Sequence, residues 1–337
     1  RSQDCFTTKM FTEMRTDTLR KSSPTLFSRA FSIVAWSLLA LWVVAAMPHA
    51  AHAQMEFEGI ALSNGLEKAS SATGDFDGDG DIDLIVSGAT TNGSSTTFLY
   101  ENTGQNAGSG SLDPSTFVAV GEIGSGFAGS REISMDVGDL DGDGDLDLLI
   151  TGTASGFGTQ VYENTGQNAG SGSLDPSMFV VVGSLDQGEP RLGDLDGDGD
   201  LDVLVTGDQA IGYAATVYEN TGQNGGDGSL GASTFQDVNA GLTGVVLGAS
   251  ALGDLDGDGD LDLLMTGISE ENSLPSTVIY ENTGQNTGTL DGSTFQSVNA
   301  GLQDVRESSI SMADFDGDDD LDLLIAGFDS GASDAKT

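Results

Sequence analysis

From residue 54 onward the apolar residues stand in short unbroken runs bounded by glycine, serine, asparagine and aspartate, and nowhere at the spacing of an amphipathic helix. Five runs lead the pattern: Leu84-Ile85-Val86, Leu148-Leu149-Ile150, Val203-Leu204-Val205, Leu263-Leu264-Met265 and Leu323-Leu324-Ile325. A run without polar alternation predicts a strand buried on both faces. Each is preceded by a stretch rich in small residues, such as Gly248-Ala249-Ser250-Ala251 or Ser309-Ile310-Ser311, which suits a strand crowded near a central axis. Each of the first four is followed by a Thr/Val-rich strand, as in Thr277-Val278-Ile279-Tyr280, that leaves through an Asn-Thr-Gly turn. A last strand starts at Phe117, Phe179, Phe235 and Phe295, each preceded by Ser-Thr or Ser-Met.

These segments recur in one order with a period of about sixty residues. A heptapeptide, Tyr-Glu-Asn-Thr-Gly-Gln-Asn, marks the exit of the third strand at Tyr100–Asn106, Tyr162–Asn168, Tyr218–Asn224 and Tyr280–Asn286. Four short antiparallel strands per unit, each sheet covered by its neighbours, describe the blades of an all-β propeller. A sandwich would not repeat one sequence five times, and a parallel calcium roll repeats every nine residues rather than sixty. Phe57 to Leu66 resembles a fourth strand and its exit, so it is expected to complete the last blade. The fifth unit lacks a third strand, so the expected ring is incomplete.

Between the first two strands of every unit stands an acidic nonapeptide, Asp-x-Asp-Gly-Asp-x-Asp-x-Asp. Its aspartates are Asp75, Asp77, Asp79, Asp81 and Asp83; Asp139, Asp141, Asp143, Asp145 and Asp147; Asp194, Asp196, Asp198, Asp200 and Asp202; Asp254, Asp256, Asp258, Asp260 and Asp262; and Asp314, Asp316, Asp318, Asp320 and Asp322. Like charges at every second position repel unless a cation sits among them. Calcium, which takes six to eight hard oxygen ligands, is the natural one, up to one ion per loop. Side chains at positions 1, 3, 5 and 9 are expected to converge, with position 7 giving its backbone carbonyl and turning its carboxylate to solvent. Position 6 is Gly80, Gly144, Gly199 and Gly259, which admit the positive φ of a sharp turn. The fifth loop has Asp319 there, so its site is expected to be the weakest. Position 8, Ile82 or a leucine, is expected to anchor each loop to the core. An EF-hand needs a bidentate Glu at position 12, where this chain has Val86, Ile150, Val205, Met265 and Ile325.

Loop, following strand and period together resemble the FG-GAP or VCBS-type repeats of integrin alpha-subunit propellers and many secreted bacterial proteins, from about Phe57 to Gly327. The resemblance implies calcium at the positions named and a role in binding or adhesion. It departs from the family in the long Gly/Ser-rich segment after the heptapeptide, as in Ala107 to Asp113, and in Pro190 within the third first strand, tolerable at a sheet edge.

Composition narrows the function classes. Residues 1–53 read as a secretory signal with upstream sequence: Arg15, Arg20, Lys21 and Arg29 precede an apolar run from Phe31 to Met47, and Ala51-His52-Ala53 supplies a cleavage pattern. Repeats then fill residues 54–337, and the expected location is outside the cell or at its surface. Six of the 11 basic and three of the 53 acidic residues precede Gln54, so five basic side chains face fifty acidic ones after it, a formal charge near −45. Both histidines, the one cysteine and both tryptophans also precede it. Imidazole and thiolate chemistry are thereby excluded from the repeats. Lys68, Arg131, Arg191, Arg306 and Lys336 are too sparse for a phosphate-binding stripe, which argues against nucleic acid. Membrane contact is expected only through an uncleaved signal or a further C-terminal anchor. The expected partner is an extracellular protein or glycan, with no enzymatic activity; the alternatives are a spacer in a larger surface protein or part of a polysaccharide-degrading enzyme whose trace would be an unpaired acid such as Glu189. Repetition of Glu101, Glu163, Glu219 and Glu281 points to scaffold. Function is expected where units differ: Glu122 to Glu132, Leu185 to Arg191, Asp208 to Tyr213 and Ile268 to Pro275.

Overall fold

A computed structural model describes residues 66–90, 95–104, 116–123, 133–152, 158–166, 174–186, 188–209, 212–222, 230–231, 233–284 and 288–329. All lie in one compact unit, Ile60–Thr337. The secretory signal, most of the segment Phe57 to Leu66, and the Gly/Ser-rich stretch Ala107 to Asp113 lie outside the described residues.

The described chain folds into four four-stranded antiparallel sheets and a fifth of two strands, each built in simple sequence order. The first holds β1 (Glu67–Gly74), β2 (Asp83–Ala89), β3 (Ser95–Asn102) and β4 (Phe117–Glu122). The second holds β5 (Ile133–Gly138), β6 (Asp147–Gly152), β7 (Gln160–Asn164) and β8 (Phe179–Ser184). The third holds β9 (Glu189–Gly193), β10 (Asp202–Gln209), β11 (Gly212–Asn220) and β12 (Phe235–Asp237). The fourth holds β13 (Val245–Gly253), β14 (Asp262–Ser269), β15 (Pro275–Asn282) and β16 (Phe295–Val298), and the fifth holds β17 (Arg306–Ala313) and β18 (Asp322–Phe328). Every fourth strand starts at the phenylalanine that marks it in sequence. Among the described residues the helical content is 3-10 alone, at Thr116 and in the turn Pro176–Met178.

First strands lie side by side in chain order, β1 by β5, β5 by β9, β9 by β13 and β13 by β17. The sheets are therefore propeller blades about an axis lined by first strands, in a ring that is not closed. Pro190 pairs with Val205 on β9, an edge strand, where its missing N–H interrupts no ladder.

The unbroken apolar runs are explained by alternation into two cores rather than one. On β6, Leu148 and Ile150 join Phe76, Ile85 and Leu99 of the first blade, whereas Leu149 joins Val203 and Val205 of the third. On β10, Leu204 turns the other way, to Leu263 and Met265. All six residues of β6 are buried. Fully burying each such side chain contributes roughly 1.5–3 kcal/mol. The terminal blades mark the limit of the rule. β2 alternates between buried and half-buried, and on β18 Leu324 is 60% and Phe328 61% exposed, because among the described residues no blade packs on that strand's outer face.

Glycine sets the spacing between blades. The residue before each of the first four loops is Gly74, Gly138, Gly193 or Gly253. A Cβ there would lie 2.5 Å from Leu146, 2.6 Å from Leu201, 2.9 Å from Leu261 and 3.1 Å from Leu321, the position-8 side chain of the next blade's loop in each case. Position 8 thus anchors the second to fifth loops, but onto the preceding blade, and the expectation fails at the first loop. Ile82, in the first blade, is 54% exposed.

Candidate metal centres and the opposite face

Each acidic loop closes through its own carboxylates. In the second loop the position-1 acid, Asp139, accepts from the N–H groups of Gly142 (2.8 Å) and Gly144 (3.0 Å), while Asp141 and Asp143 each accept from the N–H two residues on. The turn requires φ of 94° at Gly80 and Gly144, 99° at Gly199 and 97° at Gly259. Asp319 is forced to 73° in the fifth loop, a conformation that costs an L-residue roughly 1–2 kcal/mol.

Three acids of every loop have carboxylate oxygens within 4.8 Å of one another: Asp75, Asp77 and Asp83; Asp139, Asp141 and Asp147; Asp194, Asp196 and Asp202; Asp254, Asp256 and Asp262; Asp314, Asp316 and Asp322. Positions 1, 3 and 9 are thus brought together as the spacing implies. The position-5 acids, Asp79, Asp143, Asp198, Asp258 and Asp318, stand outside these groups and accept from the position-7 N–H, at 2.8–3.1 Å.

Position 7 departs from expectation. Asp145 and Asp260 are buried rather than solvent-facing, and the Asp81 carboxylate packs against Gly104 of the heptapeptide turn. Asp200 is half-buried, and only Asp320, on the uncovered fifth blade, is exposed. At Asp81 the cover is the third-strand exit, which the local spacing cannot reveal.

Burial makes these carboxylates costly to ionise. It pushes the position-9 acids up, Asp83 to about 6, Asp202 to about 7 and Asp147 to about 8, against the opposing pull of two backbone N–H donors each. Asp141 and Asp196 rise to about 6, from burial first and neighbouring carboxylates as well. Asp314 of the exposed fifth loop moves the other way, lowered by N–H donors from Gly317 and Asp319.

The fit to a hard divalent cation rests on orphaned oxygens. Oδ2 of Asp77, Asp141 and Asp196 is buried without a hydrogen-bond partner, and so is Oδ2 of Asp145. Buried polar atoms left unpaired are rare, and in a cluster of carboxylates a cation is the group that satisfies them. An all-oxygen set suits calcium, with positions 1, 3 and 9 as its core.

Two features of this site escaped the reading of the sequence. One is the glycine before each of the first four loops. The other is the heptapeptide asparagine: Asn102, Asn164, Asn220 and Asn282 donate their backbone N–H to the position-9 acids Asp83, Asp147, Asp202 and Asp262, at 2.8–2.9 Å. The heptapeptide tyrosines and glutamates also bind structure. Tyr218 and Tyr280 accept from the N–H groups of Asp186 and Thr243, and Glu163 accepts from that of Leu230.

The connections that differ between blades collect elsewhere. Second-to-third hairpins and blade-to-blade linkers stand at the end opposite the acidic loops, since each second strand runs away from its loop. There a cavity of about 340 Å³ is lined by Glu189, Asp208, Glu307, Thr151, Thr206 and Ser308, among others. Asp208 to Tyr213 without Ala210 and Ile211, Leu185 to Arg191 without Gln187, and Ile268 to Pro275 are described at this end; Glu122 to Glu132 is described only at Glu122 and Ile123. Glu189 is ion-paired with Arg191, so it is not the unpaired acid expected of a catalytic site.

A family model described as the FG-GAP-like repeat matches residues 75–150, 194–265 and 254–325. Each match runs from the first aspartate of one loop to the second strand of the next blade, and together they include all five loops. No curated protein matches the chain. Among the described residues no helix is long and apolar enough to cross a membrane.

Proposed function

The chain belongs to the FG-GAP-like repeat family, and from that membership we propose that it is an exported, calcium-stabilised propeller that binds an extracellular protein or glycan. FG-GAP repeats occur in extracellular, adhesion-type proteins, which supports the location and the type of role. The observation that carries the reading is the division of labour between the two ends of the blades. What recurs in every unit builds loop and scaffold, whereas the cavity at the other end adds three acids that do not recur, Glu189, Asp208 and Glu307, to the recurrent threonines Thr151, Thr206 and Thr266. Acids and hydroxyls at that opening suit the hydroxyl groups of a glycan or a polar peptide surface, and the deficit of basic residues disfavours anionic ligands.

The test is binding of the purified protein to arrayed glycans and to intact cells, with calcium and then with EDTA. Binding is expected to need calcium, and to fall when Asp208 and Glu307 are both changed to alanine at unchanged melting temperature. Calcium-dependent folding without any such binding would favour the spacer reading, and release of sugars from a polysaccharide would favour the enzyme.

A further inference from the structure

The acidic loops are not isolated from one another. Position 2 of a loop donates its N–H to the position-9 acid of the same loop: Leu140 to Asp147, Leu195 to Asp202 and Leu255 to Asp262, at 2.8–2.9 Å. Its carbonyl points to the next blade, where a heptapeptide asparagine takes it. Asn164 Nδ2 donates to the Phe76 carbonyl at 2.9 Å, Asn220 Nδ2 to that of Leu140 at 2.8 Å, and Asn282 Nδ2 to that of Leu195 at 2.7 Å. Each pair is at least eighty residues apart in sequence. The backbone N–H of the same asparagine holds the position-9 acid of its own blade. A line of hydrogen bonds therefore runs from loop to asparagine to loop through the first four blades. Asn164, Asn220 and Asn282 are each 1% exposed, and Asn220 and Asn282 also donate to Leu201 and Leu261 of their own loops; Asn102, with no preceding described loop to reach, is half-buried and makes the own-loop bond to Ile82 alone.

We infer that Asn164, Asn220 and Asn282 are positioning residues that couple the ion sites of adjacent blades, so that filling one loop raises the affinity of its neighbour. The inference rests on the loops being calcium sites. Ordering a loop fixes its position-2 peptide. That peptide aligns the next blade's asparagine, whose N–H in turn sets a position-9 ligand. Buried hydrogen bonds of this kind have few alternative partners, so the ordering of one loop is felt by the next.

The experiment follows each loop separately, through the amide resonances of Gly80, Gly144, Gly199 and Gly259 in the full-length protein during a calcium titration. These N–H groups bond the position-1 acids and so report occupancy of their own loops. Asp141→Asn disables the second loop and is expected to raise the calcium midpoint read at Gly199 by about fivefold or more, the usual range of coupling between sites. Asn220→Ser keeps a hydroxyl for the local turn to Gly222 but cannot reach Leu140, so in its background Asp141→Asn leaves Gly199 unmoved. Asn102→Ser, which breaks the same local contacts with no blade before it, leaves the coupling intact. A Gly199 midpoint indifferent to Asp141→Asn in the otherwise unaltered protein overturns the inference, as does a coupling that survives Asn220→Ser. Should Asn220→Ser fail to fold in saturating calcium, Asp196→Asn read at Gly259 with and without Asn282→Ser decides in the same way. Glycine amides that ignore calcium altogether would instead remove the calcium reading itself.

Discussion

Calcium removal is the perturbation on which this fold makes its largest claim. All five loops carry convergent acids, and three of the first four a buried, unpartnered position-3 oxygen; the fifth is exposed from Asp314 to Asp320 and strained at Asp319. Extracellular calcium sites have dissociation constants of ~10⁻⁴ to 10⁻³ M. At a tenfold excess of calcium each site adds about 1.4 kcal/mol, from RT ln 11. Four sites then contribute about 6 kcal/mol, a large fraction of the roughly 5–15 kcal/mol that holds a typical domain together. At about 2–4 °C per kcal/mol for a protein of this size, the melting temperature is expected to rise by roughly 12–24 °C between EDTA and saturating calcium. Circular dichroism follows the melt of residues 54–337, with magnesium and sodium chloride as controls. Magnesium prefers octahedral geometry and its own water, so it should give a fraction of the shift. A midpoint raised equally by sodium chloride would mean that the acidity relieves general repulsion only, and the reading of the loops as ion sites would be wrong.

Three further outcomes follow from particular residues. Gly193→Ala puts a Cβ 2.9 Å from both Leu252 and Leu261, and overpacking of this kind should cost about 1–3 kcal/mol in urea unfolding at saturating calcium. Asp319→Gly removes a left-handed aspartate and should strengthen the fifth loop severalfold in a terbium luminescence titration, with a gain in stability of about 1 kcal/mol or less once the extra freedom of glycine in the unfolded chain is counted. In EDTA, stability should fall as pH rises from about 4 through 8: Asp83, Asp202 and Asp147 titrate near 6, 7 and 8 in the fold, so the native state holds protons that the unfolded chain has already released. Melting temperatures across that range in EDTA check the sign, and saturating calcium should abolish the trend.

How much of this was legible depends on where each residue finds its partner. The runs Leu148-Leu149-Ile150 and Val203-Leu204-Val205 announce two-sided burial because adjacent residues supply cores on opposite faces, and the sequence shows both at once. Leu323-Leu324-Ile325 announces the same and is wrong at Leu324, since burial of the outer face depends on a blade that the run itself does not encode. Convergence of positions 1, 3 and 9 is a property of nine consecutive residues, and it could be read directly. The burial of position 7 could not, because what covers it lies outside those nine residues, as Gly104 of the third-strand exit does at Asp81.

Recurrence supplied a signal that local pattern did not. Gly74, Gly138, Gly193 and Gly253 precede their loops and Ala313 precedes the fifth, a difference with no meaning inside one unit. It acquires one between units: a glycine is needed wherever the next blade's position-8 leucine must pack, and no described loop packs on Ala313. The heptapeptide asparagine follows the same logic, fully buried at Asn164, Asn220 and Asn282 and half-buried at Asn102. A residue repeated in every unit thus has two sets of contacts, one in its own blade and one in a neighbour. Substitutions of Asn164, Asn220 or Asn282 should therefore disturb two loops, and the same substitution of Asn102 only one.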